Sequence, residues 1–240
     1  MKNSTPPPTP TTHPIEQHPF GVFAFPDTQV LMMGTLPPTP DKWGMAFHYP
    51  NFYNDMWRIM GRVFFGDGEY FRAGQDKRFD ADKIKAFLKT AKIGECPTVK
   101  TAIREHGNAS DAHLTVVERV DLRAVLADLP NVGWLLLTGG KACEVLFDAI
   151  NAERADPTSP DFDPTAKPLK LLKTNQHITL TLFGRKLGIW RLPSSSRAYP
   201  LSLDKKVAAY RTAFLQAGLG TLIAPHADVA SHDSSKNNAT

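Results

Sequence analysis

Cysteine is scarce in this sequence. Cys96 and Cys143 are the only two in 240 residues, far apart and with no Cys or His at ligand spacing, which excludes a disulfide framework and a Cys-ligated cluster. Buried thiols in a reduced compartment are expected. Long apolar runs are also missing: none could span a bilayer, and the N-terminus lacks the apolar core of a secretory signal. These absences predict a soluble, cytoplasmic protein. Hydrolytic signatures are absent too, with no G-x-S-x-G elbow and no H-E-x-x-H helix. His48, His106, His113 and His177 are scattered without metal-ligand spacing and are expected to be surface or packed histidines. Gly139-Gly140-Lys141 lacks the rest of a phosphate-binding loop, which argues against a nucleoside triphosphatase. No internal repeat is found.

What is present is enough for one sizeable core. The apolar fraction is 42%, and the chain divides by composition into a Pro/Thr-rich stretch at 1–19, a single domain over 20–219, and a polar stretch at 220–240. The two ends are too polar to fold alone and are expected to be disordered tails. A net charge of +4 with a pI near 9.0 leans mildly toward a polyanionic partner, although on charge alone a solvated basic surface is the better explanation.

Patterning supplies the elements. Thr28 to Leu36 (TQVLMMGTL) reads as a buried strand running into a loop stiffened by Pro37, Pro38 and Pro40. Met56, Trp57, Met60, Val63 and Phe64 fall at helical spacing, with Asn54 and Asp55 placed to cap. A helix is expected from Asp80, a short strand and turn over 92–98, and an irregular polar loop around Asn108 to Asp111. Another helix should begin near Asp121. Trp134 to Thr138 (WLLLT) is the strongest strand signal; two glycines and a helix over 141–151 follow it. After a Pro/Asp-rich loop at 156–168 come strands at 178–183 and 186–192, the second leading into PSSSRAYP, and a final helix over 203–217.

Alternating strands and helices predict a three-layer α/β/α sandwich around a central, mostly parallel sheet of four to five strands. Sites in such folds gather at the carboxyl edge of the sheet. Both GTLPP and PSSSRAY follow strands directly, so both are expected on that edge.

Gly34-Thr35-Leu36-Pro37-Pro38, then Tyr49-Pro50 followed by Asn54-Asp55-Met56-Trp57, then Trp134 to Ala142 (WLLLTGGKA) and Leu192 to Tyr199 (LPSSSRAY) occur in a telling order. The set resembles the motifs of the uracil-DNA glycosylase superfamily, and is most similar to the mismatch-specific and hypoxanthine-acting branches. In those branches the first motif is like G-[IS]-x-P-G, the second H-P-x-N-x-F-W, and the last N-P-S or L-P-S-x-S. The resemblance covers roughly 30–214. It implies a monofunctional DNA glycosylase that hydrolyses the N-glycosidic bond of a deaminated base, uracil or hypoxanthine, flipped out of DNA. Neither metal nor cofactor is implied. The partner is DNA containing a deaminated or mismatched base, and a monomer is expected.

Under this resemblance Asn54 and Thr35 are the catalytic candidates, with Asn51 as the competing alignment for Asn54. Gly34, Phe47, Tyr49 and Thr138 would bind the base, with Phe47 at the family's stacking position. Ser194, Ser195, Ser196, Arg197 and Lys141 would contact DNA, Arg197 entering the vacated space or gripping the backbone and Tyr199 being the runner-up. The sequence departs from the family at Leu36, where several branches carry an Asp or Asn that handles water, and at Thr138, where some place a base-reading Asn. Asp55 or Asp111 would have to approach the sugar to replace the missing carboxylate. Two other readings stay open: a catalytically weak DNA-binding member of the same fold, and a hydrolase of small nucleosides.

Overall fold

A computed structural model describes residues 13–105 and 111–225. Its spine is β2 (Val30–Met33), buried along its whole length because it runs between two parallel neighbours. One is β3 (Ile93–Glu95), the other β6 (Trp134–Leu137). Beyond β6 lie β8 (Arg185–Arg191) and, antiparallel to it, β7 (His177–Leu182). The sheet order is β3-β2-β6-β8-β7, five strands and mostly parallel. Gly188 is required where β8 passes β6, since a Cβ there would stand 2.4 Å from the Trp134 ring.

Side chains alternate across this sheet and build two cores. Val30, Met32, Leu136 and Trp190 face one side, under α1 (Met56–Phe65), α2 (Ala81–Ala91) and α5 (Leu203–Gln216). Leu31, Met33, Leu135, Leu137 and Ile189 face the other, under α3 (Leu122–Ala127) and α4 (Gly140–Ala155). The architecture is therefore the expected three-layer sandwich. Helix starts follow their caps: the Asp80 carboxylate accepts from the amides of Asp82 and Lys83, and the Ser202 hydroxyl from Lys205.

A second sheet was not anticipated. β1 (Ile15–Gln17), β4 (Val99–Arg104) and β5 (Leu114–Arg119) form an antiparallel sheet in the order β1-β4-β5. Its apolar side, Val99, Ala102 and Leu114, packs with Leu36 and Val145 into a small third core. Leu36 is thus an anchor for this sheet, 8% exposed.

At both ends, residues expected to be tail join the fold. Ile15–Gln17 lies within the segment expected to be a tail, yet it pairs with Ile103, Ala102 and Thr101. Residues 220–225 likewise return to the domain, the Ala224 amide bonding the Val63 carbonyl and its carbonyl accepting from Arg211. At the first end backbone pairing compensates for weak apolar content; at the second, Ile223 also packs into the core under α1 and α5. Residues 1–12 and 226–240 of the expected tails, and loop positions 106–110 with His106, lie outside the described residues. No described helix is long and apolar enough to cross a membrane.

Candidate active site

Three loops converge at the carboxyl edge of the sheet. A cavity of roughly 240 Å³ opens there, between the loop after β2, the crest before α1 and the loop after β8. Its lining includes Gly34, Thr35, Tyr49, Asn51, Asn54, Thr138 and Ser194 to Ala198. Residues more than a hundred positions apart are thus brought together as the ordered motifs required.

The first loop is rigid for visible reasons. Its prolines limit φ, the Trp43 indole donates to the Pro38 carbonyl at 2.7 Å, and Arg104 from β4 donates to Pro37 at 2.9 Å while also pairing with Glu16. The Gly34 carbonyl accepts from both the amide and the hydroxyl of Thr98. Gly34 must lack a side chain, because a Cβ would lie 2.9 Å from the Tyr49 hydroxyl. Thr35 donates its hydroxyl proton to Asp111 at 2.7 Å.

Tyr49 turns the chain with φ of 51° and forms one wall. Its hydroxyl lies 2.8 Å from Thr138 Oγ1, which in turn donates to the Met33 carbonyl at 3.2 Å. Thr138 has one proton, so Tyr49 is the donor between them. Burial, reinforced by Glu95, holds the Tyr49 phenol well above its ordinary range, and it stays neutral. Thr138 therefore positions Tyr49 and does not present a free edge to a base.

Asn54 and Asn51 both line the cavity, and both carbonyls are engaged: Asn54 Oδ1 accepts from the Met56 amide at 2.9 Å, and Asn51 Oδ1 from Tyr53 at 2.8 Å. Among the described residues nothing accepts from Asn54 Nδ2. It is a fixed donor at the start of α1, unsuited to taking a proton from water. Asp55, the other expected cap, makes no side-chain cap. Its carboxylate instead receives Arg197 Nε at 3.0 Å and Lys206 Nζ at 2.9 Å, while its amide bonds the Ser195 carbonyl. Lys206 also donates to Ser196 O, so the distal loop is fastened to α1.

Within that loop Ser194 Oγ accepts from the Ser196 amide and Ser196 Oγ from the Ala198 amide. Those two amides are spent internally, but each hydroxyl keeps its proton for an outside acceptor such as a phosphate. Ser195 is buried. Arg197 is half exposed, with its guanidinium 5.5 Å from the centre of the Tyr53 ring. Gly139 and Ala142, at the N-terminus of the 16-residue α4, also line the cavity, so the positive end of that helix faces it.

Three expected residues stand apart from the cavity lining. Phe47 is 5% exposed and packs edge-on against Phe23 in the core below α1. Its ring fills the interior, so it offers no face to a base. Lys141 is paired with Glu144 at 2.8 Å, and Tyr199 contacts the Thr174 hydroxyl.

Two lining residues carry no sequence signal, His18 inside the segment expected to be a tail and Phe20 just past it, both delivered by β1. Phe20 stacks obliquely on Trp43, ring centres 5.0 Å apart. His18 lies 5.8 Å from His48, whose Nε2 meets the Gly21 carbonyl at 3.0 Å. Burial, with a smaller contribution from His18, pushes the His48 pKa down to about 3, and burial lowers that of His18 as well. Both imidazoles are uncharged near neutrality.

A larger cavity, roughly 370 Å³, lies against α3 and α4. Its Arg123 is already held by Glu153 and Asp161, at 2.9 and 2.6 Å.

No protein-family model and no curated protein matches the sequence. A solved structure does share the fold. A protein from Methanosarcina acetivorans, determined by NMR in solution and provisionally assigned as a uracil DNA glycosylase, matches with a TM-score of 0.54 and 18% identity, over 85% of this chain and 99% of that one.

Proposed function

We propose that this chain is a DNA glycosylase of the uracil-DNA glycosylase superfamily, excising a deaminated base, uracil or hypoxanthine, and leaving an abasic site. The observation that carries the reading is the Asn54 amide, fixed by the Met56 N–H and lining the same cavity as GTLPP and Ser194 to Arg197. The similar fold of the Methanosarcina protein, with its assigned activity, supports the same reading.

Such an enzyme must extrude a nucleotide, at a cost of about a few kcal/mol, and recover it in contacts. The Ser194 and Ser196 hydroxyls would hold the phosphates flanking the target, and Arg197 the backbone or the vacated space. Phe20 and Tyr49, rather than Phe47, would present ring faces to the base. As the glycosidic bond breaks, negative charge grows on the base. Asn54 Nδ2 and the N-terminus of α4 are preorganised donors for that charge.

The test is incubation with DNA duplexes bearing a single uracil, hypoxanthine or xanthine, followed by alkaline scission. Strand breaks at the modified position are expected on at least one. Their absence on all three, in duplex and in single strands, contradicts the proposal; turnover of free nucleosides instead would assign the cavity to small substrates.

A further inference from the structure

The first motif carries Leu36 where a water-handling polar side chain would stand, and that leucine, at the cavity wall, packs under β4 and β5 beside Val99, Ala102, Leu114 and Val145. The hairpin it anchors brings a carboxylate to the same place. Asp111, in the 3₁₀ turn that opens β5, lines the cavity and accepts the Thr35 hydroxyl at 2.7 Å.

Among the described residues lining the cavity it is the only acid. Asp55, Glu95 and Glu144, acids also near the site, are committed, Glu144 by its pairing with Lys141. Asp55 is held by Arg197 and Lys206, and Glu95 is 1% exposed in the interior and outside the lining. Asn54 cannot substitute, since an amide is not basic enough to take a proton, and its carbonyl oxygen already accepts from the Met56 amide.

We propose that Asp111 is the general base of the reaction, with Thr35 as the residue that positions it; this rests on the glycosylase reading above. In the step, the C1′–N bond breaks and its electron pair leaves with the base. The water oxygen bonds to C1′, and the proton that water loses passes to the Asp111 carboxylate. From there it goes to the departed base or to solvent, restoring the ionised acid. A second oxygen of the carboxylate remains to orient water while Oδ1 holds Thr35.

The surroundings favour a base with raised proton affinity. The residue is exposed at the rim, but its carboxylate is crowded by protein, and that crowding raises its pKa above the usual aspartate range. The Thr35 hydroxyl, Lys141 on α4 and Arg104 on β4 work against the rise, while Glu144 on α4 adds to it. Tyr49, neutral, and His113, two residues along the same turn, are further titratable neighbours among the described residues.

Single-turnover excision over a pH series, on whichever modified duplex the wild type cleaves, tests the assignment. Asp111→Asn keeps an acceptor for Thr35 but cannot take a proton. It should lose about 100-fold or more in rate, keep DNA affinity and thermal midpoint, and lose the acid limb of the profile. Thr35→Val removes a bond that lowers the Asp111 pKa, so its acid limb should move to higher pH. Retention of the wild-type rate and acid limb in Asp111→Asn would overturn the assignment while leaving the glycosylase reading intact. No product from the wild type on any of the bases would overturn both.

Discussion

Asp55 Oδ2 lies 2.9 Å from the ammonium of Lys206, a lysine that is 1% exposed, and this pair joins the helix after the first site loop to the helix after the last. The remaining carboxylate oxygen holds Arg197, and the ammonium also holds the Ser196 carbonyl. Removing one partner of a buried pair leaves the other charged and desolvated. Asp55→Ala should therefore cost about 3–5 kcal/mol, read as a lower urea midpoint with unchanged slope. A midpoint equal to wild type would show that the pair does not hold the loops together.

Buried His48 and half-buried His18 make stability depend on pH. His48 has a folded pKa near 3 against 6.5 when exposed, so between those values the unfolded chain binds a proton that the folded one does not. Stability is then highest above the unfolded pKa and falls as pH drops through the window, at up to about 1.4 kcal/mol per pH unit. His18, also lowered, adds in the same direction. His48→Gln keeps a donor for the Gly21 carbonyl and should flatten that slope by one proton's worth, measured by denaturation at a series of pH values. An unchanged slope would mean that His48 is not held neutral.

Much of this architecture was readable from the pattern. β2 and β6 are apolar throughout because they are covered on both faces, and α1 shows its buried stripe at Met56, Trp57, Met60, Val63 and Phe64. The three-stranded sheet was not readable for the opposite reason. Its strands have one open face carrying Lys100 and Glu118, paired at 2.7 Å, and β1 is only three residues long. That miss hid His18 and Phe20.

At the site, the order of the motifs located the cavity, but not which atoms are free within it. An aromatic such as Phe47 looks the same in sequence whether it faces the core or a ligand. Thr138 and Asn54 are told apart only by their hydrogen bonds: both atoms of the threonine hydroxyl are used, while the asparagine keeps its amide.

Arg197 links the cavity to the outside. With its side chain half exposed and its Nε on Asp55, it can give its outer nitrogens to a phosphate without exposing a buried charge, since Lys206 keeps Asp55 paired. Arg197→Ala should weaken DNA binding and lower the slope of log affinity against log salt by about one, with little change in thermal midpoint. Fluorescence anisotropy over a salt series reads this directly. An unaltered slope would remove Arg197 from the phosphate contacts.

The central claim concerns Asn54, whose amide is the donor fixed at the cavity. Single-turnover excision of uracil and hypoxanthine from duplex DNA by wild type and Asn54→Ala, side by side, tests it most directly. The account predicts alkali-labile product from the wild type on at least one base. From the variant it predicts a rate lower by about 100-fold or more, with DNA binding retained. A variant that keeps the wild-type rate, or a wild type that yields no product, would contradict it.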